Sequence, residues 1–198
     1  MTSKEQYTDS RRREDEFFHK RDQELILAAR RQAESEAQFR DLSAVTGISD
    51  QQTLQDLQRF DYNAQTALLL ELMPLVQVAW SDGSVNELER KRIFTIARLE
   101  GIETGDPRWD RLAQSLQIRP SDEFFQATLR GLRASLEGLP VEDRRRIDRK
   151  LIIHCTSVAS VSGGFLGLGS RISNAEQAAI NEIVAALEWD YHSTGRSG

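Results

Sequence analysis

The sequence holds one cysteine, three histidines and four prolines in 198 residues. A single cysteine excludes a disulfide scaffold, and so few soft ligands leave no Cys/His zinc cluster. Chemistry, if any, falls to carboxylates. Positive charge is not in excess either: 26 Lys and Arg stand against 31 Asp and Glu, a net charge of −5. No global field therefore gathers nucleic acid or anionic lipid. The longest apolar run, Ala67 to Trp80, is interrupted by Glu71, Pro74 and Gln77 and falls short of the about 20 residues that cross a bilayer. Met1 to Lys20 is dense in charge and has no signal-peptide core. The expected setting is cytoplasmic, with no transmembrane segment and no nucleic-acid partner. No Ser/His/Asp set has recognisable spacing, so no catalytic residue and no enzymatic activity are expected.

Strand signals are missing as well, and the apolar residues fall at helical spacing, which predicts an all-α protein. The segment from about Ser10 to Arg40 is charged, with a narrow apolar stripe at Phe18, Leu25, Ala29 and Phe39. Residues 1–42 as a whole carry nine basic and ten acidic residues. Such a nearly neutral helix suits packing on one side, against a protein partner or a second copy. Three segments are expected: a helical arm over 1–45, a bundle over 46–190 and a small, polar, disordered tail over 191–198.

Within the bundle, Ser49 and Gln52 are spaced as a capping box for a short helix with Leu54, Leu57 and Phe60 inward. Ala64 to Trp80 is apolar almost all round, the mark of a central helix, with Pro74 expected to kink or break it. Glu87 to Glu100 follows, stopped by Gly101. Asp106-Pro107 opens a helix carrying Trp109, Leu112 and Leu116. Ser121 and Pro140 mark two more starts, the second running through Ile147, Leu151, Val158 and Val161. Ile180, Ile183, Val184 and Leu187 mark the last helix.

Two stretches are alike. VQVAWSDGSVNELERKRIFTIARLEG and TSVASVSGGFLGLGSRISNAEQAAINEIVAAL both read apolar helix, glycine turn, small apolar residue, capping box, apolar helix. Val85 aligns with Ile172, Asn86 with Ser173 and Glu89 with Glu176. The bundle is thus expected to contain two related helical hairpins.

The residues LMPLVQVAWSDGSVNELERKRI, together with SVASVSGGFLGLGSRISNAEQAAINEI, resemble the TerB-like family, named for the tellurite-resistance protein TerB. The resemblance spans roughly Ala64 to Glu188. It implies an all-helical, non-enzymatic bundle in stress-response or membrane-associated complexes, with acidic clusters near the Asp-Gly turns as suspected metal sites. The second hairpin departs from the family pattern, carrying Ser162-Gly163-Gly164 where an acidic turn is expected. TerB-like domains also precede DnaJ-type co-chaperone regions, but the His-Pro-Asp motif of a J domain does not occur here.

Two candidate sites follow. Asp82, Gly83, Val85 and Glu89 fall at positions 5, 6, 8 and 12 of an EF-hand loop, but positions 1 and 3 are Val78 and Trp80, which ligate no cation. Either Asp82 makes an Asx turn and Glu89 completes a capping box, or Asp82, Glu87 and Glu89 form a weak divalent-cation site without a tightly held cofactor. The second site is Gly163 to Gly169. It lacks the Gly-Lys-Ser/Thr ending of a phosphate loop and follows a helix, not a strand. Its Phe165, Leu166 and Leu168 either plug the end of the bundle or offer an apolar contact to a protein partner or a membrane surface. Arg144, Arg145, Arg146, Arg149 and Lys150 are interleaved with acids and read as a solvated face.

Overall fold

The computed structural model describes residues 3–162 and 172–187, with side chains from residue 19 to 161 and from 172 to 187. All regular structure among the described residues is α-helical. The elements are α1 (Ser3–Thr46), α2 (Gln51–Arg59), α3 (Leu69–Ala79), α4 (Glu87–Leu99), α5 (Pro107–Gln117), α6 (Asp122–Glu137), α7 (Val141–Ser162) and α8 (Asn174–Leu187). No helix among the described residues is long and apolar enough to cross a membrane.

The chain divides into two compact units, Met1–Arg40 and Asp41–Gly198. The division falls before the expected boundary at 45 because the last turn of α1 is part of the second unit's core. Leu42 is fully buried there, the Ser43 hydroxyl donates to the Ile48 carbonyl at 2.7 Å, and Thr46 Oγ1 accepts from the Ile48 amide at 3.3 Å. Gly47, at φ 71°, ends the helix in the left-handed conformation that glycine adopts at no steric cost.

The first unit has no core of its own among its described side chains. Residues 19–36 are exposed throughout. Arg40 donates from Nε to the Glu36 backbone carbonyl at 3.3 Å.

The second unit is built around α3. Nine of its eleven residues are buried, and it packs against α4, α5, α6, α7 and α8. The helix begins at Leu69, five residues later than the apolar run suggests. Asn63 Oδ1 accepts the amides of Gln65 and Thr66 at 2.9 and 3.1 Å, holding the preceding residues in turns. Pro74 does not break α3. It deprives the Leu70 carbonyl of its helical donor, but the helix is enclosed on all sides and continues to Ala79.

Helix starts follow cap chemistry. Asp106 caps α5 and also pairs with the Arg108 guanidinium, which holds its carboxyl below the usual range. Ser121 caps α6 through the Phe124 amide at 3.1 Å. For α2 the cap is Asp50, whose Oδ2 accepts from the Thr53 amide at 2.7 Å, and not Ser49. A carboxylate one residue later is the stronger acceptor.

Ahead of the first hairpin, α2 lies on α6, where Gly131 lets Leu57 approach the helix backbone. Tyr62, buried, shares a hydrogen bond of 3.0 Å with Thr128, and Arg111 lies over its ring and donates to the Phe60 and Asp61 carbonyls. The hairpins α3–α4 and α7–α8 meet through α3 and α7, α4 and α7, and α3 and α8. Lys150 ties α7 across this contact, donating to Glu100 at 2.7 Å and Glu71 at 3.5 Å. The face read from sequence as solvated thus contains a half-buried tether at Lys150.

Candidate functional site

The capping boxes expected at the two hairpins form, while the one expected at Ser49 and Gln52 does not, and the two that form bring two carboxylates indoors. At α4, Asn86 Oδ1 accepts the amides of Leu88 and Glu89 at 2.9 and 3.0 Å, and Glu89 Oε2 accepts the Asn86 amide at 2.8 Å. At α8, Ser173 Oγ accepts the Glu176 amide at 3.1 Å and Glu176 Oε2 accepts the Ser173 amide at 2.6 Å. Each box satisfies helix-start amides that have no partner within the helix. Glu89 is 0% exposed and Glu176 2%.

Burial is rare for glutamate because its charged form loses water. At Glu89 the loss pushes the carboxyl up to about 7, against the Asn86 hydrogen bond and with the nearby charges of Asp82 and Glu176. Glu89 Oε1 is buried with no hydrogen-bond partner among the described residues. The charge of the aligned Glu176 thus adds, as the smallest contribution, to the rise at Glu89. Repetition in the sequence signals Glu176, which the list Asp82, Glu87 and Glu89 leaves out.

The three candidate metal residues are placed differently from one another. Asp82 is exposed and its Oδ1 accepts the Ser84 amide at 3.1 Å, an Asx turn closed by Gly83 at φ 96°. Glu87 is exposed on the first turn of α4, and only Glu89 is buried. Among the described residues no group of three or more His, Cys, Asp and Glu is placed to hold a metal ion. Phe165, Leu166 and Leu168 lie outside the described residues. Cys155 is buried, with its thiol pushed up to about 12 by burial, the state of an inert small apolar residue.

Two apolar surfaces stand apart from these carboxylates. On α1, Leu25, Ile26 and Leu27 are 60%, 53% and 51% exposed. On the bundle, α7 and α8 form a groove of about 380 Å³ lined by Ile152, Ile153, Val184 and Leu187, with Arg145 and Arg149 beside them. The groove is not apparent from the inward row of α7. Ile152 and Ile153 lie off the row Leu151, Cys155 and Val158, and that misfit was its signal.

Compared with protein-family models, curated proteins and solved structures, the chain matches none.

Proposed function

We propose that the chain is a non-enzymatic, TerB-like interaction module of a stress response, which works through its N-terminal helix by pairing with a second copy or by recruiting a protein partner. The observation that carries this reading is the exposure of Leu25, Ile26 and Leu27 on a helix otherwise rich in charge. Consecutive helical residues are about 100° apart, so these three cover a broad arc of apolar surface. Their burial against a partner contributes on the order of 2 kcal/mol per side chain. Isolated helices draw little stability from propensity alone, which gives this one a reason to be covered. The TerB-like part of the reading rests on the paired hairpins, each opening its second helix with a buried capping glutamate.

Affinity capture with the full chain and with a full-length variant carrying Leu25→Ser, Ile26→Ser and Leu27→Ser tests the reading. Retention of a second, differently tagged copy or of a protein partner by the parent chain, and its loss from the variant, is expected. Equal retention by both removes the arm from the account.

One observation favours a second reading, a weak divalent-cation site at the Asp-Gly turn. Glu89 Oε1 has no partner, and the charges of Asp82 and Glu176 are close enough to raise its proton affinity. Oxygen-rich sites of this kind suit calcium, magnesium or manganese. Calorimetric titration of each ion into the full chain at pH 8 tests it, with Glu89→Gln as the control. Heat from the parent and none from the variant supports the site, and no heat at millimolar metal ends it.

A further inference from the structure

The groove between α7 and α8 has a charge order along it. Arg149 precedes Ile152 and Ile153 by three and four positions, one helical turn. The exposed stretch of α1 repeats that spacing with the opposite charge, because Asp22 precedes Leu25 and Ile26 by three and four positions. A parallel pairing that sets Asp22 against Arg149 places Leu25 and Ile26 over Ile152 and Ile153 in one register. An antiparallel pairing on the same apolar anchors sets Ala29 against Arg149 and gives up that ion pair, although it brings Arg30 to Asp148, the acid that also lines the groove. Leu25 and Ile26 are exposed in the single chain, so the segment is available to another molecule.

We propose that the α7–α8 groove is the receptor for the Asp22–Ala29 segment of a second copy of this chain, seated as a parallel helix with Leu25 and Ile26 as anchors. The proposal rests on the self-association reading above and names the surface that the arm engages. Helix-in-groove recognition of this type reads anchors one turn apart and uses flanking charge to set direction.

Sedimentation equilibrium on full-length chains tests it. Ile153→Ser and Leu25→Ser are each expected to weaken self-association by about tenfold, as loss of an anchor does. Asp22→Arg and Arg149→Asp are each expected to weaken it by about fivefold. The chain carrying both charge changes recovers the parent dissociation constant, because the pair is restored with its signs exchanged. All four positions are exposed, so circular dichroism should be the same for every variant, and recovery in the charge-swapped chain cannot come from misfolding. If Leu25→Ser weakens association while Ile153→Ser and Arg149→Asp leave it unchanged, the groove is overturned and arm-to-arm pairing with the self-association reading stands. A parent chain that stays monomeric at every concentration overturns both.

Discussion

Glu89 shows how much one buried group can decide. Its carboxyl is pushed up to about 7 in the folded chain from an ordinary value of 4.5. A raised folded value means that the native state binds the proton more tightly than the unfolded chain does. Stability is then fullest below the unfolded value, declines as pH rises from about 4.5, and levels off above about 7. The loss across that window is about 3 kcal/mol at most. Glu89→Gln keeps an acceptor for the Asn86 amide, since glutamine also serves in a capping box, and removes the ionisation. Denaturant unfolding at pH 5 and pH 8 should show a variant that is more stable than the parent at pH 8 and has lost most of the slope between the two. A parent with no such slope would show that the carboxyl is not strained by its burial.

At the scale of elements, the cap residues and apolar rows of the sequence carry most of the fold. Asn86, Asp106 and Ser121 start helices where their spacing predicts, and Gly101, at φ 78°, ends α4. The pairing of hairpins is legible from the alignment of Glu89 with Glu176, although their convergence in the interior is not, because proximity between segments far apart in sequence leaves no local trace. Pro74 and Asn63 set the bounds of α3 against expectation for different reasons. Packing on all sides sustains α3 through a missing hydrogen bond, while one amide side chain delays its start. The α7–α8 groove escaped the sequence because Ile152 and Ile153 belong to the surface only once the inward face of α7 is known. Two substitutions test this layer. Asn86→Ala deprives Leu88 and Glu89 amides of their acceptor and should cost about 1 kcal/mol, read as faster hydrogen exchange at those two amides ahead of the rest of α4. Gly131→Ala places a Cβ 2.8 Å from Leu57 Cδ2 and 3.2 Å from its Cγ, and Leu57 is fully buried. Overpacking should outweigh the helix-propensity gain of alanine and leave a net loss of about 1 kcal/mol, read as a lower urea midpoint. A stabilised variant would show that α2 yields at this contact.

At the scale of the whole molecule, the two units divide the work. Asp41–Gly198 holds the core, the two buried glutamates and the groove, while Met1–Arg40 holds charge and the exposed Leu25, Ile26 and Leu27. Near-equal numbers of acids and bases leave the arm without a strong field of its own, so in the proposed pairing apolar anchors would carry its affinity and single charges such as Asp22 would set its register. Association should accordingly depend weakly on salt, and a steep loss of mass between low and high ionic strength would assign the contact to charge instead. The central claim is that the exposed arm joins chains together. Its most direct measurement is the solution mass of the parent and of the variant with Leu25, Ile26 and Leu27 changed to Ser, by sedimentation equilibrium over a concentration series. The account predicts a parent mass that climbs above the 22.5 kDa of one chain and a variant that stays at it. A parent that remains at one chain's mass throughout, or a variant that associates as the parent does, would contradict it.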